Sequence, residues 1–264
     1  MLVTVDLHDG RIGIVSGHVL RDLRGDHRSG NRRITAIHFF PFAVLVELGL
    51  RAVGEDHLVA DFQKIALQGK IGKKECVIVK SGVGKVNAAR TTQAMIDNFD
   101  IEYIINMGAS GSIANDLNIG DIVIGKYVVQ HDFDITAFGH NKGYITGVGE
   151  KVECDKKLIK TLEDVAKNNG KYKVKLGIVV TGDIFCTDEI MKEKIHTKFD
   201  ADVVDMECAA IAQVAYLNKK PFVVIRCISD APNGENASVF DENLEMAADR
   251  CAKIITEFMN NNLN

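Results

Sequence analysis

The chain has 264 residues, 46% of them hydrophobic and 26% charged, and a formal net charge of −4. That balance belongs to an ordinary soluble globular protein, long enough to bury a sizeable core. No acidic or basic block dominates, which argues against nucleic acid as a partner.

Along the chain, the first quarter differs from the rest. All 22 lysines lie at or after Lys64, whereas seven of the ten arginines and five of the eight histidines precede it. The stretch RDLRGDHRSGNRR (21–33) reads as a solvated basic loop. The longest uncharged apolar run, ITAIHFFPFAVLV (34–46), contains Pro41. It is too short to span a bilayer and starts too late for an export signal, so no membrane role is expected. Residues 1–60 are therefore read as atypical, whether misfolded, fused or frame-disrupted, within a single 1–264 domain.

After residue 64 the pattern becomes regular. ECVIVKSG, IEYIINMG, GDIVIGKYVVQ, KLGIVVTGD and PFVVIRCISD read as buried β-branched strands. Helical periodicity fills 85–98, 156–168, 207–216 and 241–259. Alternation of strand and helix predicts an α/β fold with helices covering a largely parallel sheet. Ligand sites of such sheets gather at strand carboxyl ends. The six cysteines, Cys76, Cys154, Cys186, Cys208, Cys227 and Cys251, form no C-x-x-C pair. They read as buried free thiols of a cytoplasmic protein, with no zinc site.

Four strand ends carry candidate chemistry. SGVGKVNAA (81–89) sets two glycines between a strand and a helix, where backbone N–H groups can approach a ligand. The spacing is neither that of a P-loop nor that of a dinucleotide fingerprint. NMGASGS (106–112) reads as a second Gly-rich strand-to-turn junction, suited to a flat ligand. HDFDITAFG (131–139) is either the start of a metal site at His131, Asp132 and Asp134 or a hydrogen-bonded loop supporting a neighbouring site. No complete ligand set accompanies it, so no metal is expected. CISDAPNG (227–234) places Ser229 and Asp230 at the end of an apolar strand. Asp230 is either a sheltered carboxyl of raised pKa, able to donate a proton, or the first residue of a turn. VVDMECAAIAQVAY (203–216) puts Asp205 and Glu207 where a strand meets an apolar helix, a costly place for carboxylates without partners.

In this order, KSGVGKVNAA, INMGASGSI, GDIVIG with QHDFDITAFG, TGDIF, VVDMECAAIAQV and PFVVIRCISDAPNG resemble the purine nucleoside phosphorylase superfamily. Within it they are most similar to the 5′-methylthioadenosine/S-adenosylhomocysteine nucleosidases, from about Phe62 to the C-terminal helix. The resemblance implies a three-layer α/β/α fold with a central mixed sheet flanked by helices. It implies hydrolysis of the N-glycosidic bond of an adenosine thioether, with release of adenine through an oxocarbenium-like transition state. Asp230 is then the proton donor to adenine N7, held by Ser229. Glu207 accepts both ribose hydroxyls, Met206 packs under the sugar and Asp205 supports the ribose site. Arg226 orients Glu207, and Phe185 stacks on the base while the Cys186 backbone reads its edge. Ala109 and Gly111 line the pocket and Phe240 closes over it. No cofactor is implied, a homodimer is, and the partner is a small-molecule nucleoside.

The carboxylate that activates water in the family belongs to an acidic turn near the N-terminus. The nearest echo here, RIGIVSGHVLRDL (11–23), lacks it, and general-base help is typically worth about 10²–10⁴-fold. A purine nucleoside phosphorylase, a futalosine-type hydrolase and a non-catalytic nucleoside binder remain as alternatives.

Overall fold

The computed structural model describes residues 34–40, 51–52, 66–72, 74–230 and 236–261. The basic loop at 21–33 and the echo at 11–23 lie outside the described residues. The strands are β1 (Ile34–Phe40), β2 (Arg51–Ala52), β3 (Ala66–Ile71), β4 (Lys74–Lys80), β5 (Ile101–Ser112), β6 (Ile122–Gln130), β7 (Val152–Glu153), β8 (Val174–Thr181), β9 (Val203–Asp205) and β10 (Phe222–Asp230). The helices are α1 (Lys85–Asn98), α2 (Lys156–Asn169), α3 (Glu189–Phe199), α4 (Cys208–Leu217) and α5 (Asn236–Asn260).

All described strands join one mixed sheet, in the order β10-β6-β8-β9-β5-β1-β4-β3-β2, with β7 on β6 and an extra pairing of β10 with β5. The expectation of a largely parallel sheet is corrected. β1 runs parallel to β4 and β5, β10 to β5, and β8 to β6 and β9, whereas β3–β4, β5–β9 and β6–β10 are antiparallel. The extra pairing closes a circuit of β5, β10, β6, β8 and β9. Helices α1 and α4 pack on each other, as do α2 and α5, and both pairs lie against this sheet.

Burial explains the composition of the strands. Every residue of β10 is buried, and β5 is buried from Tyr103 to Gly111 apart from small exposure at the last position. A strand covered on both faces needs a continuous apolar run rather than alternation. Helix α2 shows the complementary pattern, with Leu158, Ile159, Leu162, Val165 and Ala166 buried on one stripe and Asp155 capping its N-terminus by accepting from the N–H groups of Lys157 and Leu158.

The junction expected at 106–112 is also corrected. The chain does not turn there, because β5 continues through Ser112. Its last residues pair with two neighbours at once: Gly111 lies opposite Asp230 on β10 and opposite Val204 on β9. Strand β5 is the point where the two arms of the circuit meet, and the glycines serve close packing rather than a turn.

Candidate functional site

The acids of 203–207 solve two different problems. Helix α4 begins at Cys208 with orphan N–H groups, and Asp205 satisfies them from below. Its Oδ1 accepts from the Glu207 and Cys208 N–H groups, both at 3.2 Å, and from Thr181 Oγ1 at 2.6 Å. Thr181 Oγ1 in turn accepts the Ala209 N–H at 2.8 Å. The other oxygen, Oδ2, takes Nε and Nη2 of Arg226 at 2.9 and 2.7 Å. Asp205 is thus fully committed to the protein, and its place in the site is to hold other groups.

Arg226, expected to orient Glu207, pairs with Asp205, whose Oδ1 accepts the Glu207 N–H. Its Nη2 also donates to Asn106 Oδ1 at 2.6 Å, which ties β10, β5 and β9 together below the strand ends. The guanidinium is 1% exposed, and its Nη1 has no partner among the described residues. That leaves one buried, charged donor next to the carboxylate cluster without a bond to satisfy it.

Because Asp205 caps α4, the Glu207 side chain is released from that task. It is 2% exposed and its Oε1 accepts the Gly84 N–H at 2.9 Å. Burial, reinforced by the neighbouring Asp205 charge, pushes its pKa up to about 7. Met206 between the two acids is half-buried.

Asp230 ends β10 in a sheltered position. Ser229 Oγ donates to its Oδ1 at 2.9 Å. On the other side lies the Gly111 backbone, so close that a Cβ added there would stand 2.8 Å from Asp230 Oδ2. Burial raises the Asp230 pKa, against the opposing pull of the Ser229 hydroxyl and the Lys192 ammonium. A carboxyl so placed keeps its proton to higher pH and is suited to donate it.

Ala109 and Gly111 lie on β5 beside Cys227 and Asp230. Cys186 is buried within electrostatic reach of Asp230, and Phe185 before it is 44% exposed at the surface above. The structure therefore gathers Gly111, Cys186, Asp205, Glu207, Arg226, Ser229 and Asp230 around the joined ends of β5, β9 and β10. Phe240 falls within α5, and its side chain lies outside the described residues.

The sequence reading missed Lys192. It occupies the inward face of α3, 2% exposed, where helical spacing calls for an apolar residue, and its charge acts on Asp230 and Cys186. It also missed Lys85 and Asp183. At the N-terminus of α1, Lys85 N–H donates to Asp183 Oδ1 at 2.8 Å, and Lys85 Nζ donates to Asp132 Oδ1 at 2.7 Å. Asp132 Oδ2 accepts the Asp183 N–H at 3.0 Å. Asp134 accepts from the N–H and hydroxyl of Thr136, which builds the turn Thr136–Phe138. His131 is buried against Gly182, with Nε2 unpartnered among the described residues. The carboxylates of 131–134 are thus engaged with lysine, threonine and backbone.

Comparison with known proteins places this arrangement. The family model of the phosphorylase superfamily matches residues 61–260. A 5′-methylthioadenosine/S-adenosylhomocysteine nucleosidase of Bacillus licheniformis is 42% identical over 183 residues, covering 69% of this chain and 79% of the relative. The crystal structure of such a nucleosidase from Neisseria meningitidis, in complex with methylthio-immucillin-A, superposes with a TM-score of 0.77 at 32% identity, over 86% of this chain and 99% of that one. The native structure of futalosine hydrolase of Helicobacter pylori has a TM-score of 0.76 at 29% identity, over 86% and 97% of the two chains. The mixed sheet flanked by helices, the paired acids at its strand ends and the match over three quarters of the sequence converge: the chain belongs to the phosphorylase superfamily, in its family of 5′-methylthioadenosine/S-adenosylhomocysteine nucleosidases.

Proposed function

We propose that the chain hydrolyses the N-glycosidic bond of 5′-methylthioadenosine and S-adenosylhomocysteine, releasing adenine. The observation that carries this reading is the pair of buried carboxyls, Asp230 and Glu207, brought to either side of the end of β5 with their pKa values raised. Glycosidic cleavage needs a proton delivered to the leaving base and charge stabilisation at the sugar.

Asp230 supplies the proton, to N7 of adenine, which makes the base a neutral leaving group. Ser229 fixes the carboxyl by its 2.9 Å bond. Glu207 uses its oxygens for the ribose 2′- and 3′-hydroxyls, whose O–H groups replace the water it lost on burial. Its negative charge also favours the oxocarbenium character that develops as the bond breaks. Met206 lies under the sugar, Phe185 stacks on the base, and the backbone at Cys186, Ala109 and Gly111 frames it. Asp205 and Arg226 act from below, Asp205 by capping α4 and Arg226 by fixing Asp205.

Water rather than phosphate is supported as the acceptor by the N-terminus of α1. A helix N-terminus ordinarily favours an anion. Here Glu207 and Asp183 already occupy the Gly84 and Lys85 N–H groups, and Arg90 on the same helix is exposed. The likeness to futalosine hydrolase motivates a second reading, in which the 5′ substituent is not a thioether.

No described helix is long and apolar enough to cross a membrane. A cytoplasmic setting fits six cysteines that are all free and buried. A homodimer is part of the same proposal, and exposed Val83, Val86, Phe138 and Ile190 are apolar surface for a second copy. The test is release of the free base, adenine from each thioether and hypoxanthine from futalosine, measured with and without phosphate. Phosphate-independent release from the thioethers, reduced about 10²–10⁴-fold in Asp230→Asn, is expected. Formation of a ribose 1-phosphate still bearing the 5-thioether, or thioether binding with no adenine formed, would refute it.

A further inference from the structure

Glu207 is 123 residues away from the glycine that bonds it. The contact depends on a turn, 81–84, which is tied locally by the Asn87 Nδ2 bond to the Val83 carbonyl at 2.7 Å and the Thr91 Oγ1 bond to the Ser81 carbonyl at 3.3 Å. Gly82 and Gly84 have positive φ, at 80° and 85°, a region in which a chain is free to swing when nothing fastens it. Helix α1 has no side-chain cap from its own N-cap residue, so the Gly84 and Lys85 N–H groups take their acceptors from elsewhere in the fold.

Two other strand ends tie the turn from outside it. Asp183, just after β8, accepts the Lys85 N–H at 2.8 Å. A Cβ on Gly84 would stand 3.0 Å from Asp183 Oδ1, so the carboxylate lies directly against the turn. Asp132, just after β6, accepts both Lys85 Nζ at 2.7 Å and the Asp183 N–H at 3.0 Å. Lys85 Nζ also lies 3.8 Å from Asp183 Oδ2. The three residues form a closed ring of bonds joining the ends of β4, β6 and β8. Lys85 and Asp132 are about one fifth exposed, which shields the pair from the screening that empties most surface ion pairs of effect.

We propose that Lys85, Asp132 and Asp183 are positioning residues that aim the Gly84 N–H at Glu207 and so set the orientation of the ribose-binding carboxylate. The proposal rests on the reading of Glu207 as the ribose acceptor. It accounts for the acidic segment after β6, whose carboxylates serve the sugar site at one remove. A ring tied at three points holds the turn whether or not substrate is present, so Glu207 meets the diol without reorganisation.

The test compares a ligand that needs this carboxylate with one that does not. KM and kcat are measured for 5′-methylthioadenosine, and Ki for its 2′,3′-dideoxy counterpart as a competitive inhibitor. The enzymes are wild type, Lys85→Met, Lys85→Arg, Asp132→Asn and Glu207→Ala. Lys85→Met and Asp132→Asn are each expected to raise KM about tenfold, the effect of a misaligned bond to a charged group, while the dideoxy Ki stays unchanged. Lys85→Arg, which keeps the charge, is expected to recover part of the loss. Glu207→Ala is expected to weaken the ribonucleoside far more than the dideoxy compound. If Glu207→Ala weakens both ligands alike, the ribose reading fails and the proposal falls with it. If Glu207→Ala discriminates but Lys85→Met and Asp132→Asn weaken both ligands equally, or neither, the positioning role alone is overturned.

Discussion

Replacing Glu207 by glutamine should stabilise the ligand-free protein at alkaline pH while damaging its use of substrate. The side chain is buried, and its pKa is raised from an ordinary 4.5 to about 7. In the unfolded chain the carboxyl ionises near 4.5, whereas in the folded chain it resists ionisation until about 7. The stability this group contributes is therefore fully present below the unfolded value and is lost as pH rises through the folded one. At about 1.36 kcal/mol per pKa unit, the loss above both values is roughly 3 kcal/mol. Glutamine keeps an oxygen for the Gly84 N–H and carries no charge, so it escapes the loss. The prediction is a Tm for Glu207→Gln roughly 6–12 °C above wild type at about pH 8, shrinking to almost nothing at about pH 4. Thermal melts of the two proteins without ligand measure it. A variant no more stable than wild type at the higher pH, or one whose advantage does not change with pH, would refute the argument that burial of this carboxylate opposes folding.

Two further outcomes test the proton donor. Gly111→Ala places a Cβ about where Asp230 Oδ2 needs to be, 2.8 Å away, on backbone that tolerates alanine. It should lower kcat at least about tenfold by displacing the carboxyl, with far-UV circular dichroism unchanged; full activity would mean that Asp230 need not sit against β5. Lys192→Met removes a cation that holds the Asp230 pKa down, so the alkaline limb of the kcat/KM profile should move to higher pH. A limb that stays in place, or moves to lower pH, would show that the ammonium does not govern this carboxyl.

The parts of this fold that were legible in the sequence are those whose signal is local. The bounds of α1 follow from its Gly-rich start and its periodicity, and the all-buried β10 follows from its unbroken apolar run. Helix α3 was not legible, because its inward positions are held by Lys192 and Ile195 and the usual apolar stripe is missing. The run-on of β5 was hidden by its glycines, which signal a turn to any local rule but here make room for Asp230. In the site, Asp205, Glu207 and Asp230 announced themselves as acids at strand ends. The division of labour between Asp205 and Glu207 depends on Thr181 and Arg226, each more than 20 residues away, and the Lys85 ring joins segments 47 to 98 residues apart. Contacts over such distances leave no periodicity to read.

The double pairing of Gly111 has a consequence for how the molecule can move. Its two neighbours carry the opposite jaws of the site: β10 ends in Asp230, and β9 leads into Glu207. With the strands closed into a circuit, the span between these jaws is fixed like that of a calliper locked at one setting. The sheet cannot open to let a product leave or close to grip a substrate without breaking its own ladders. The segment after β8 that bears the exposed Phe185 lies outside this circuit. The closed frame thus fixes the spacing of Asp230 and Glu207 independently of the loops around it.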